Sequence, residues 1–442
     1  MASTYLTRTH GTPTNAKKHT FSVWVKLSLD TTNHDFMFGV YNGSSRNNYF
    51  IKSGSDNTLA MENVVGGNSA GYFFTNRKFR DCNAWYHIVV AEDTTQATAS
   101  DRVKVYVNGV QETSFSSISY PSQNIDDLIN SSGSTVYVGQ RGGSYGYLDG
   151  SMSHMHFIDG TAYDATAFGE YDANGVWKIN TSPSVTYGTN GFFILKDSAS
   201  VTDQSGNGNN FTVGGGTLTN TQDCSANVFA TWNPLIPQNP SSTWTYLNGN
   251  TTTTTVNSLS ITLSTLGMTS GKWYWEVKTG AEVPAGLMVG IAKEGINTNS
   301  AFLGDDAYGY GYFVTGNKYN SGNQGAYGDT FTNGDIVSVA YDADNGTLWF
   351  AKNGTWQNSA TQTEIENGTT TNAAFSGLDT TATYFCSHGN GGSTYTNYAN
   401  FGNGYFGTTA VASAGTNASG IGIFEYDVPA GYTALCTKGL NL

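Results

Sequence analysis

Charge is what this sequence has least of. Only 12% of its 442 residues are Asp, Glu, Lys or Arg, about half of the ~25% usual for a globular domain. The 20 basic residues are outnumbered by 33 acidic ones, for a net charge of −13. A phosphate backbone would be repelled, and no Lys/Arg stripe with interleaved aromatics offsets the deficit, so nucleic acid is not an expected partner. Cysteine is scarce too. Cys82, Cys224, Cys386 and Cys436 are scattered, with no CxxC and no Cys/His cluster, which argues against a zinc site and a disulfide framework. Interior thiols are expected. No stretch approaches the ~18 apolar residues of a membrane span, and the start, MASTYLTRTHGTPTNAKKHTF, lacks the apolar run of a signal peptide. No membrane partner is expected.

In place of charge the chain carries 54 Gly, many Thr, Asn and Ser, and 27 Tyr, 23 Phe and 9 Trp. These residues suit turns, β-surfaces and packed interiors, and helical periodicity is nearly missing. Candidate strands include FSVWVKLSL (21–29), WYHIVVAED (85–93), RVKVYVNG (102–109), SMSHMHFID (151–159), KWYWEVK (272–278), DIVSVAYDAD (335–344) and TLWFAKNG (347–354). In VKVYV, Val103, Val105 and Val107 alternate with Lys104 and Tyr106, and Asn108-Gly109 supplies the positive φ of a tight hairpin. Asp344-Asn345-Gly346 gives a second hairpin signal. The expected fold is all-β, two antiparallel jelly-roll-type β-sandwiches in tandem. Residues 1–185 form the first domain, 186–229 a bridging segment that lends FFILK to one sandwich, and 230–442 the second domain with a C-terminal extension. The Thr run 251–255 reads as a loop or exposed edge.

Two resemblances attach to particular residues. Phe21-Ser22-Val23-Trp24-Val25, Trp85 to Val90, Val105 to Gly109, Val138-Gly139 and Leu148 to Met152 resemble a laminin-G/concanavalin-A-type jelly roll over about 15–180. That resemblance implies binding of glycans or proteins, often with calcium at one rim. Gly271-Lys272-Trp273-Tyr274-Trp275-Glu276-Val277, Gly290-Ile291-Ala292, Gly309 to Tyr312, Gly334-Asp335, Tyr341-Asp342, Leu348-Trp349-Phe350, Asn353-Gly354 and Ala399-Asn400-Phe401-Gly402 are similar to a SPRY domain over about 230–407. SPRY domains recognise proteins through loops at one end of the sandwich, and catalysis is not implied. The tandem, with its MASTYL start, also resembles structural or tail-fibre proteins of marine bacteriophages.

Catalytic motifs fail on context. A retaining glycosidase of this fold needs two carboxylates about 5.5 Å apart on one strand face, whereas Glu92 and Asp93 are adjacent and point to opposite faces. Gly67-Asn68-Ser69-Ala70-Gly71 spells G-x-S-x-G without the strand-to-helix elbow, and 402–407 spells G-x-G-x-x-G without a βαβ unit. His154 and His156 share a strand face, a workable chelate spacing without a third ligand; Met155 and Phe157 are read as the core face, with the histidines outside. Asp203, Ser205 and Asn207 place oxygens at alternate positions, as a calcium loop begins, but position twelve is Gly214 and not Glu. Two readings stay open there: a looser calcium site, and an Asx-rich turn capping its own backbone, which is preferred. No other cofactor is expected. Tyr308, Tyr310, Tyr319 and Tyr327, in a Gly/Asn-rich stretch, are the candidate ligand-binding residues, because loop tyrosines offer rigid amphipathic contact area.

The expected function is non-enzymatic: a virion structural or appendage protein, a bacteriophage fibre or adhesin, that binds host-surface glycan or a neighbouring virion protein. The rivals are a capsid-decorating protein with structural contacts only and a polysaccharide depolymerase. The expected location is the virion, reached by host lysis without a signal peptide, and the fibre analogy implies a homo-oligomer, a trimer.

Overall fold

The computed structural model describes residues 3–441 apart from 29–33, 53–56, 144, 197–200, 238–242, 257–258, 282–285, 300–301 and 392–393. The end of the expected strand 21–29 lies outside the described residues. The chain divides into two units, Met1–Asn220 with Cys224–Ala226, and Thr221–Asp223 with Asn227–Leu442. Both are antiparallel β-sandwiches.

In the first unit an eight-stranded sheet runs in the order Phe115–Ser119, Asn68–Lys78, Thr58–Val65, Arg46–Lys52, Asp35–Tyr41, Thr135–Val138, Tyr5–Thr9, Thr212–Gly215. It faces a six-stranded sheet ordered Phe192–Ile194, Gly150–Asp159, Lys18–Leu27, Trp85–Asp93, Val103–Val107, Val110–Glu112. Alternation sets the interior: Phe21, Val23, Val25 and Leu27 from one strand, Ile88 and Val90 from the next, meet Phe38, Tyr49, Ile51, Met61 and Val138. The Asn108-Gly109 hairpin has both residues at positive φ, 49° and 80°, the backbone twist that matches paired strands. A Cβ on Gly109 would fall 2.4 Å from the Trp177 ring, so glycine is required there twice over.

The outer face of the six-stranded sheet is covered as well. Trp24 stacks on His87 at 4.8 Å, His87 stacks on Trp177 at 5.9 Å, and Val89, Ile158, Ala165 and Phe168 form a second cluster beneath the segment that carries Trp177. The strand Lys18–Leu27 is therefore buried on both faces. The segment 186–229 lends its FFILK strand to a sandwich as expected, but more of it than that belongs to the first unit. Phe192–Ile194 pairs with Gly150–Asp159 and Thr212–Gly215 pairs with Tyr5–Thr9, so residues through Asn220 complete the first sandwich.

The second unit pairs a sheet ordered Thr243–Leu247, Thr252–Val256, Tyr395–Asn400, Lys272–Thr279, Ile336–Asp342, Thr347–Lys352, Thr355–Trp356 with a six-stranded one ordered Leu259–Met268, Tyr384–Gly391, Met288–Lys293, Gly309–Phe313, Asn317–Tyr319, Asn323–Ala326. Trp273, Trp275 and Val277 point into the interior with Val337, Val339, Tyr341, Leu348 and Phe350. Burying such side chains stabilises the fold by about 2–3 kcal/mol each. Gly346, at φ 60°, closes the expected hairpin. The threonine run is neither loop nor edge. Thr252–Val256 lies between two strands, and Thr253 and Thr255 are buried, because β-branched residues fill a pleated surface without alternation. The C-terminal stretch is structural too: Phe424, Val428, Tyr432 and Ala434 cover the outer face presented by Tyr274, Ala340 and Trp349.

Candidate functional site

The structure separates the four tyrosines singled out in the sequence. Tyr308 is 44% exposed, on a turn capped by Asp306 Oδ1, which accepts from its amide at 2.9 Å. Tyr310 is half-buried on the interior side, edge-on to Phe375 at 5.2 Å. Tyr319 packs on the opposite face of the same sheet, against Phe302 and Phe313. Tyr327 is a core residue, 5% exposed, and its place among ligand-binding residues is corrected. Its amide donates to the Gly316 carbonyl at 2.9 Å, which draws the ring in against Tyr312 and Phe350. Burial then pushes its phenol pKa up. These four do not share one surface.

Asp203, Ser205 and Asn207 form a self-capped turn. Asp203 Oδ1 accepts from the amides of Phe193 and Ser205, both at 2.9 Å, and Oδ2 from the Asn209 amide and the Ser205 hydroxyl, both at 2.8 Å. Asn207 turns its amide nitrogen toward the Gly188 and Gly191 carbonyls, at 2.7 and 2.9 Å, the wrong end for a cation. The calcium reading therefore gives way to the Asx turn. His154 and His156 do not chelate from one face either: the pairing with Lys18–Leu27 bulges between Ser153 and His156, and His154 sits at φ 48°. His156 is buried, hydrogen-bonded through Nδ1 to the Tyr187 hydroxyl at 2.9 Å and stacked on Phe193 at 4.0 Å, so it is not on an outer surface. Met155 and Phe157 do face the core.

A face that the sequence did not announce lies on the outer side of the eight-stranded sheet. The Arg141 guanidinium lies over both the Tyr145 ring, at 5.0 Å, and the Tyr41 ring, at 5.2 Å, each within cation–π range. Tyr145 is 47% exposed. Gly142, at φ 98°, sits where a Cβ would meet Tyr41 and Tyr137 at under 3 Å, so the two rings flank it. Tyr137 continues to Tyr5 at 6.2 Å, and Tyr5 to Tyr147 at 6.2 Å. Gly214 and Gly215 lie flat on the Tyr5 ring, which is why the glycine run occurs on this strand. The result is a row of half-exposed phenols around one cation. Among the described residues Arg141 pairs with no carboxylate.

A second arrangement lies inside the first unit. His19 and Glu92 are direct cross-strand partners, on the inner side with Phe21 and Val90, and both are fully buried. Asp127 caps the 3₁₀ turn Leu128–Asn130, accepting from the Ile129 amide at 3.1 Å and from Asn47 Nδ2 at 2.6 Å through Oδ1. His19 Nε2 meets the Tyr49 hydroxyl at 2.6 Å, and its Nδ1 lies 3.4 Å from Asp127 Oδ2. Ligand-type atoms of His19, Glu92 and Asp127 all fall within 4.8 Å of one another. No donor from outside the two carboxyls reaches either Glu92 oxygen or Asp127 Oδ2, and the two carboxyls face each other. Burial, then the Asp127 charge, raises the Glu92 pKa well above the carboxylate range, while burial lowers that of His19 against the pull of Asp127 and Asp159.

Residues 2–165 match the model of the concanavalin A-like lectin/glucanases superfamily, and residues 272–395 that of the SPRY domain. Curated relatives include the ATP-dependent RNA helicase DDX1 of Xenopus laevis, 36% identical over 93 residues, which is 21% of this chain and 12% of that protein. Ran-binding protein 9 of Danio rerio is 36% identical over 87 residues, 19% of this chain and 14% of that protein. The chain thus spans only 12–14% of the length of these relatives. Solved structures similar to it include the SPRY domain of human HERC1, at 19% identity over 38% of this chain and 96% of that one, TM-score 0.30. A heptameric SAP-like pentraxin from Limulus polyphemus shows 20% identity over 37% and 72%, TM-score 0.28.

Proposed function

We propose that this tandem of a concanavalin A-like unit and a SPRY unit is a non-enzymatic recognition protein, a structural or appendage component of a bacteriophage-type virion that binds host-surface glycan. The observation that carries the glycan reading is Arg141 held over both Tyr41 and Tyr145, in a row with Tyr137, Tyr5 and Tyr147. Sugar rings present C–H faces to phenols and hydroxyls to a guanidinium, so one platform satisfies both halves of a saccharide. Domains of both families typically bind without catalysis, which supports the non-enzymatic reading. The virion location rests on the sequence-level likeness of the tandem and its MASTYL start to phage fibre proteins, and on the low charge.

The second unit fits a contact with a neighbouring virion protein. Matched relatives named for binding Ran support protein recognition by this kind of domain. A glycan array with the full chain tests the first reading: binding to envelope polysaccharides is expected, and release of reducing ends from them would overturn the non-enzymatic claim.

A further inference from the structure

The interior of the first unit holds two carboxylates that its own donors do not satisfy. Glu92 takes no hydrogen bond from any group but the facing Asp127 carboxyl, Asp127 takes outside donors only at Oδ1, and both are fully buried. An unpaired ion in a low-dielectric interior is strongly disfavoured, and two facing each other more so. The imidazole beside them sharpens the problem. His19 Nδ1 is not hydrogen-bonded, and at 3.4 Å from Asp127 Oδ2 it is too distant for a good N–H···O bond. His19 Nε2 is engaged by the Tyr49 hydroxyl at 2.6 Å; with Nε2 as the donor, Nδ1 turns a lone pair toward the two carboxylates. A metal ion or a shared proton between them would relieve that arrangement.

We propose that His19 Nδ1, a Glu92 oxygen and Asp127 Oδ2 form a buried structural site for one divalent transition-metal ion of the zinc or manganese class. The two carboxylates neutralise the dication, and the imidazole nitrogen selects against calcium and magnesium, which take oxygen ligands. The three donors already converge within 4.8 Å, while donors around a common ion at about 2 Å stand about 3–4 Å apart. Their supports are in place. The Tyr49 hydroxyl fixes the His19 ring, and the Ile129 amide and Asn47 hold Asp127, the outer partners that orient ligands. The ion would cross-link both sheets, through His19 and Glu92 on one and Asn47 and Tyr49 on the other, with the Asp127 loop.

The test uses the tag-free full chain, unfolded in urea with chelator, then refolded with or without equimolar Zn²⁺ or Mn²⁺ and desalted. Elemental analysis should find about one metal per chain, and the first thermal transition should rise by several degrees with Zn²⁺ or Mn²⁺ but not with Mg²⁺. Glu92→Gln and Asp127→Asn should each lower retained metal roughly tenfold or more. No retained metal and an unmoved transition in the unsubstituted chain would overturn the proposal, leaving a proton shared between the two carboxyls. So would full retention in both variants. Because the unsubstituted chain decides by itself, a variant that fails to fold does not blunt the test, and glycan binding by the outer tyrosine face can fail or succeed separately.

Discussion

The Glu276 carboxylate accepts the backbone N–H of Tyr426 at 2.9 Å, across 150 residues of sequence. The Glu425 amide, at 2.9 Å, Asn400 Nδ2, at 3.2 Å, and the Tyr274 hydroxyl, at 3.1 Å, complete its shell. One buried side chain on a central strand thereby pins the C-terminal segment to the outer face of the second unit.

Burial raises the Glu276 pKa to about 7, against these donors, from 4.5. Below pH 4.5 both folded and unfolded chains hold the proton and its contribution is intact. Between there and 7 only the unfolded chain releases it, so stability falls as pH rises, by roughly 3 kcal/mol. Urea titrations of the second unit across pH 4–8 should show this slope, and Glu276→Gln should remove it while lowering stability at low pH, since an amide offers one acceptor in place of two.

Tyr145→Ala and Arg141→Ala should each weaken glycan binding about tenfold with the melting temperature nearly unchanged, because both side chains stand on the outer face. Equal affinity in both variants, read by calorimetry on the best array hit, would remove this surface from the binding reaction.

Tyr327→Ala and Tyr308→Ala should part company. The first empties a core position and should cost about 3–5 kcal/mol; the second removes an exposed ring and should stay within about 0.5 kcal/mol. Thermal denaturation distinguishes them directly.

Calcium should leave the melting profile of the first unit unmoved through the Asp203 turn, whose carboxylate already accepts four hydrogen bonds. Asp203→Ala should cost about 2 kcal/mol by orphaning those donors, with or without calcium.

Gly109→Ala should destabilise the first unit by about 1–3 kcal/mol, combining left-handed strain with the collision against Trp177. Loss of the Trp177 Nε1–His87 Nδ1 hydrogen bond, at 3.0 Å, would register as a fluorescence shift.

Local chemistry was legible in the sequence and assembled chemistry was not. Asn108-Gly109 declares its hairpin because positive φ is a property of those two residues, and VKVYV declares its faces by alternation. The Thr run hid its strand because it has no alternation to show. The tyrosine row draws Tyr5, Tyr41, Tyr137, Tyr145 and Tyr147 from four strands spread over more than 140 residues, so no window contains it. Glu92 was half legible: its spacing from Ile88 and Val90 assigns it to the interior, but its neighbours His19 and Asp127 are distant in sequence. Tyr327 misled because a Gly-rich stretch reads as loop, whereas here the glycines let the chain turn back into the core.

The pairing of Tyr5–Thr9 between Thr135–Val138 and Thr212–Gly215 has a bearing on synthesis. Within this unit the strand Tyr5–Thr9 must wait for Thr212–Gly215 before its outer edge is covered, so the sandwich cannot close until the roughly two hundred residues between them have been made. The second unit repeats the arrangement, with Phe229 bridged to Cys436 and Thr433–Ala434 lying parallel to Lys272–Thr279. Each unit is fastened by its own two ends. A nascent or clipped chain missing either end therefore exposes a sheet edge open to strand addition, and premature termination should yield aggregates in place of a smaller folded product.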